Sequence, residues 1–121
     1  MNVRFAAAAL SAALFCAAAQ AQAPVKTQDG LLVDSAGMTL YTFDRDSGGK
    51  SACNGACVKL WPPVMATAAD KPSGDYTVIA RDDGGKQWAY KGKPLYRYAS
   101  DAKPGDRGGD NFKEVWHVVK P

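Results

Sequence analysis

Histidine is nearly missing from this 121-residue chain: His117 stands alone, beside three cysteines and three methionines. Copper or zinc would want that imidazole next to Cys, Met or further His. Nothing in the sequence brings Met38 or Met65 to it, so His117 reads as a strand-face residue near the C-terminus. A Ser–His–Asp set would depend on the same single ring, and there is no Gly-x-Ser-x-Gly elbow. The cysteines form neither the Cys-x-x-Cys of a thioredoxin-like centre nor a haem-attachment ending, and no βαβ pattern surrounds them. Charge of one sign is not in excess: apart from Arg4, 14 basic residues are scattered among 12 acidic ones, a net charge of +2. That is ordinary solubility rather than a nucleic-acid footprint.

The one long apolar run lies at the N-terminus. Arg4 supplies a positive start, Phe5 to Ala18 is apolar and Ala-rich, and Ala19-Gln20-Ala21 places small residues ahead of a cut. Residues 1–21 therefore read as a signal peptide, with a cut after Ala23 as the alternative. The run is too short and too Ala-rich to hold as a spanning helix, so no transmembrane segment is expected after cleavage. Cys16 follows Ala13-Leu14-Phe15, and bulky Phe15 beside it argues against a lipid anchor. The expected product is residues 22–121, periplasmic or secreted. An even cysteine pair in an oxidising compartment, Cys53 and Cys57, is expected as a disulfide fixing a local turn.

What is present in abundance is internal repetition. Tyr41-Thr42-Phe43-Asp44-Arg45-Asp46 returns 55 residues later as Tyr96-Arg97-Tyr98-Ala99-Ser100-Asp101. Both copies read Tyr, any residue, aromatic, two more, Asp. At the same offset Gly30 matches Gly85, Gly37 matches Gly92, Leu40 matches Leu95, Trp61 matches Trp116 and Val64 matches Val119, with no gap. Such a match implies one duplicated unit, with repeat one at about 30–64 and repeat two at about 85–119.

Residues 22–29 read as a polar lead-in. Leu31–Asp34 and Met38–Phe43, joined by Ser35-Ala36-Gly37, give a hairpin signal. Gln87–Tyr90 and Pro94–Tyr98, joined through Lys91-Gly92, write the same device, with Pro94 at a strand start or edge. Alternation puts Tyr41 and Phe43 on one face and Leu40 on the other, and likewise Tyr96 and Tyr98 against Leu95. Each motif strand thus needs cover on both sides. Residues 56–61 predict a short helical turn stopped by Pro62-Pro63, whereas Phe112–Val119 has β character. The fold class is mainly β: a small single domain of two tandem pseudo-equivalent hairpin repeats. Neither half can bury its own aromatics alone.

The paired motif, the Cys-x-x-x-Cys and the run Leu60-Trp61-Pro62-Pro63 together resemble a bacterial family of secreted repeats. Its members are described as predicted lipoproteins carrying this motif, with no established function. Carried over by position, the motif residues are Tyr41, Phe43, Asp46, Tyr96, Tyr98 and Asp101. The resemblance implies a compartment and supplies no chemistry.

Asp46 and Asp101 stand at the mouths of Gly-rich loops, where a carboxylate caps a turn by accepting backbone N–H bonds. The Tyr hydroxyls then need acceptors in the core. Asp44-Arg45-Asp46-Ser47-Gly48-Gly49 begins like a calcium loop, but Gly55 falls where a bidentate Glu is required. Trp61, Trp88 and Trp116 read as core, with Trp88 also a candidate ligand-stacking platform. No catalytic residue, metal ligand or cofactor is assigned. The expected function is a non-enzymatic binding or interaction module of the cell envelope, meeting an envelope protein or a small ligand. The alternative is a metal- or redox-associated periplasmic protein using the Asp-rich loops or Cys53 and Cys57.

Overall fold

A computed structural model describes residues 23–121. The signal-peptide reading, the cut after Ala21 and Cys16 lie outside the described residues. Strand β1 (Val25–Gln28) turns through Asp29-Gly30 into β2 (Leu31–Asp34), the two pairing antiparallel. Both turn residues have positive φ, 53° and 80°, as a two-residue hairpin connection requires. The lead-in is therefore a strand, contrary to the sequence expectation; its Asp-Gly was the overlooked signal.

The second repeat begins with β5 (Tyr76–Ala80), which runs through a longer turn into β6 (Lys86–Tyr90). Strand β4 (Met65–Ala66) pairs with β6 on its other edge, and the short β7 (Lys93–Pro94) closes the hairpin on β6. Strand β3 (Tyr41–Phe43) pairs with β8 (Trp116–Val118), joining the first motif to the end of the second repeat. The reverse exchange is present as well, because Tyr96 bridges Pro63. Each motif strand thus lies against the closing segment of the other repeat. The duplicated halves are interleaved rather than strung in tandem as separate hairpins.

The offset of 55 holds from the hairpin turns onward but not before them. Leu40 donates its N–H to Leu32, and Leu95 donates to Trp88. Leu32 is therefore the twin of Trp88, 56 residues apart, and the first turn holds one residue more than the second. The gapless match of Gly30 to Gly85 is corrected accordingly. A turn residue adds no strand register, so the insertion leaves both ladders intact.

Two cores form on opposite sides of the motif strands. Leu32, Leu40, Leu95, Val64, Val119, Trp88 and Tyr90 make one; Tyr41, Tyr96, Trp61, Trp116 and Cys53 make the other. The alternation along residues 40–43 and 95–98 produces this division directly. Trp88 is 1 % exposed. Its ring is packing material with no free face for a ligand, so Trp88 is core and, contrary to the sequence expectation, not a stacking platform.

Helix α1 (Cys57–Leu60) ends at Trp61, before Pro62-Pro63, within the segment expected to be helical. Its twin segment, expected as strand, is a 3₁₀ turn over Phe112–Glu114 before β8 begins. The Phe112 ring sits edge-on to Trp61 at 5.8 Å, so packing into the aromatic core overrides local β propensity.

Gly109 shows how tightly that core is closed. A Cβ there would lie 2.5 Å from Cη2 of Trp61 and 3.0 Å from Cγ of Tyr98. Both rings are held by neighbours, so neither can yield cheaply. Gly109→Ala is expected to destabilise the protein by about 1–3 kcal/mol through overpacking, read as a lower urea midpoint at unchanged slope. An unaltered midpoint would mean that the loop lifts off freely.

Candidate functional site

The six motif residues converge, but on one another. Tyr41 and Tyr96 lie side by side and exchange both backbone bonds, Tyr41 N–H to Tyr96 O at 2.8 Å and the reverse at 3.0 Å. Their side chains also exchange partners between repeats. The Tyr41 hydroxyl donates to Asp101 Oδ2 at 2.6 Å, and the Tyr96 hydroxyl donates to Asp46 Oδ2 at 2.7 Å. Each carboxylate's other oxygen caps its own loop, Asp46 taking Ala52 N–H and Asp101 taking Gly108 N–H. The capping role expected of these carboxylates is thus accompanied by a second bond that local sequence does not reveal.

The third motif position builds a stack. Phe43 lies nearly parallel to Trp116 at 4.0 Å and Trp116 to Trp61 at 3.8 Å, while Tyr98 stacks on Trp61 at 4.4 Å with an inclination of 27°. Tyr41 and Tyr96 meet the stack edge-on, against Trp61 and Trp116 respectively. Contacts of residue i with j recur as their twins, the pattern of an approximate two-fold axis. Offset or edge-on aromatic pairs each add about 0.5–1.5 kcal/mol beyond burial, so four rings in register hold the halves together.

One polar cluster breaks the symmetry. Arg81, only 4 % exposed, donates to Ser51 Oγ, Gln87 Oε1, the Cys53 carbonyl and Asp83. Ser51 Oγ in turn meets the Tyr96 hydroxyl at 2.5 Å. A buried guanidinium is tolerable only with its donors satisfied, and here they fasten the disulfide loop to the motif. Cys53 and Cys57 are bonded to each other, with Cys53 fully buried. Sequence reading missed Arg81, Ser51 and Gln87. The Arg81 bonds to Ser51 and Cys53 span 30 and 28 residues, and the nearer Gln87 has no role apart from that buried guanidinium that local sequence would reveal.

Burial pushes the Asp46 carboxyl above its usual range, opposed by the bonds from Ala52 and Tyr96 and by the Arg81 charge. Both buried phenols are pushed well above their ordinary value of 10.0, first by desolvation and then by the acidic partner, although Ser51 pulls Tyr96 back in part.

Open grooves lie beside this centre. One shallow groove of about 180 Å³ is lined by Met38, Pro62, Arg97, Tyr98 and Asp101 among others. Adding or subtracting the repeat offset converts these residues into Lys93, His117, Thr42, Phe43 and Asp46. All five line the grooves on the other half, the larger of which, about 310 Å³, also holds Asp44, Lys91 and Lys120. A groove on one half and a twin grooved surface on the other therefore flank the motif. In the larger groove of that second surface, His117 Nε2 lies 2.7 Å from Asp44 Oδ2. Among the described residues, no group of three or more His, Cys, Asp or Glu side chains is close enough to hold a metal.

A family model described as a secreted repeat of unknown function matches residues 23–65 and 77–120. The chain belongs to that family. The two matched segments are the two interleaved halves of this secreted repeat protein. No curated protein and no solved structure matches the chain. In the described part of the protein, no helix is long and apolar enough to cross a membrane.

Two predictions test the motif's architecture. Asp46→Ala and Asp101→Ala should each cost about 2 kcal/mol, as loss of bonds to a charged acceptor does. In double-mutant cycles, Tyr41→Phe should couple to Asp101→Ala by about 1 kcal/mol or more and be additive with Asp46→Ala. Coupling within a repeat instead of across repeats would contradict the exchanged geometry. The second concerns alkali. The folded phenols have raised pKa values, so their contribution to stability is complete below pH 10.0 and falls as pH rises beyond it. Phenolate absorbance from Tyr41 and Tyr96 should therefore appear only together with unfolding. Its full appearance in folded protein near that pH would disprove the burial assigned to them.

Proposed function

We propose that this secreted repeat protein is a non-catalytic binding or interaction module of the cell envelope, meeting its partner through the grooves that flank the motif. The observation that carries this reading is the exchange of the Tyr and Asp side chains. The residues that define the repeat are occupied with one another, with Tyr41 and Tyr96 fully buried. Phenols whose ionisation is opposed in this way do not serve as acids or bases near neutral pH. Arg81, Ser51 and Cys53 are engaged in the same interior, and Cys53 is bonded to the half-buried Cys57, so the redox alternative has no free thiolate in this pair to recommend it. Side chains free to meet a partner lie in the grooves, on backbone that the interior holds rigid. An exported module of the periplasm or cell exterior, with an envelope protein or small ligand as partner, fits the leader read in residues 1–21.

Co-sedimentation with isolated envelope material tests the proposal, using twin substitutions that alter one groove each, Met38→Glu and Lys93→Glu. Saturable binding is expected, weakened at least fivefold by one or both, without release of soluble sugar, amine or phosphate. Multiple-turnover release of any such product would replace the reading with an enzymatic one.

A further inference from the structure

The twin grooves share a backbone and differ in chemistry, which makes each a control for the other. In the second groove Lys91, Lys93 and Lys120 line the walls. At the offset of 55, their counterparts are Ala36, Met38 and Met65, and the counterpart of His117 is Pro62. All four counterparts are uncharged. The fold is thus built without these charges on its other half, and their presence on this half is not a requirement of packing.

Nor are the lysines neutralised locally. None of the three ammonium groups has a carboxylate within ion-pair distance among the described residues, where the ion pairs are made by Lys50, Arg81, Arg97 and His117. The groove's one wall carboxylate, Asp44, is taken by His117. The Lys91 ammonium leans over the Tyr90 ring at 5.3 Å, and Tyr90 lines the same groove. Three like charges around a concave surface repel one another and focus a positive potential into it. An anion there relieves the repulsion.

We infer that the groove formed by Thr42, Lys91, Lys93, His117 and Lys120 binds a phosphate-bearing ligand. Ammonium groups act as separate point charges with rotatable donors, which suits the spread charge of a phosphoryl group. A guanidinium fork serves carboxylate and phosphate alike, but the arginine of the pair of grooves, Arg97, is in the other one and bonded to Asp34. A phosphate monoester, with a charge of about −1.5 to −2 and three acceptor oxygens, answers several ammonium groups better than a singly charged carboxylate does. A volume of about 310 Å³ is at the lower bound for small-molecule sites, enough for a sugar phosphate or a lipid headgroup. This inference rests on the binding-module reading and specifies the chemistry of one of its grooves.

The test is an amide NMR titration of the purified protein with inorganic phosphate, with glycerol phosphate, and with phosphatidylglycerol vesicles against phosphatidylcholine vesicles. Saturable shifts confined to residues around Lys93, His117 and Lys120 are expected, together with at least tenfold weaker binding in Lys93→Met/Lys120→Met. That variant installs the residues found at the two twin positions, Met38 and Met65, and should melt as the parent does. Binding of the soluble phosphates identifies a free phosphate ester as the source of the ligand; binding of anionic vesicles alone identifies a headgroup. No saturable shift with any probe, or shifts undiminished in the double variant, overturns the inference. If envelope binding is then still weakened by Met38→Glu, the module reading survives without the phosphate site; if neither groove substitution matters, both fall.

Discussion

The exchange of tyrosine hydroxyls between repeats is the constraint on which the rest of the structure depends. A buried phenol must find an acceptor, and a carboxylate at the edge of a core must find donors. In this protein each repeat supplies the acceptor that the other repeat's tyrosine needs. Tyr41 cannot be satisfied without the loop after Asp101, nor Tyr96 without the loop after Asp46. Folding one half alone would leave two polar groups unpaired and one side of the Trp61–Trp116 stack open. The motif therefore specifies assembly of the halves, which accounts for its appearance in two copies.

From this centre the loops inherit their shape. Asp46 and Asp101 each use one oxygen for the phenol and one for a backbone N–H several residues on, so the long Gly-rich segments are pinned at their first turn. Gly109 then passes directly over the Trp61 and Tyr98 rings, where no side chain fits. On one half, Arg81 and Ser51 add a second layer that secures the disulfide loop. The fixed interior leaves chemical variation to the walls of the grooves, where twin positions have diverged from Met38 to Lys93 and from Pro62 to His117.

Much of the architecture was legible in the sequence. The fixed offset revealed the duplication, and alternation around Leu40 and Leu95 revealed two faces that became two cores. Turn residues marked the hairpins, and Pro62-Pro63 marked the end of α1. These are local or periodic signals, written in residues near each other in the chain. Apart from the overlooked local Asp29-Gly30 turn, where sequence reading went astray a non-local contact decided the matter. The 3₁₀ turn at Phe112–Glu114 follows from packing against Trp61, and the core reading of Trp88 prevails over the ligand platform because the ring packs with Leu40 and Leu95 in the aliphatic core. The extra residue in the first turn was hidden because it shifts nothing downstream.

The sequence by itself determined that this is a small, β-rich duplicated protein with an aromatic motif in each half, since periodicity and repetition need no partner to be seen. Only the tertiary structure decided that each motif completes the other, that Arg81 is a buried structural cation, and that Lys91, Lys93, Lys120 and His117 share one groove. The reason is physical: a phenol's acceptor and a guanidinium's acceptor lie 60 and 28 residues away along the chain, and the pairing of strands that closes those distances has no local signature.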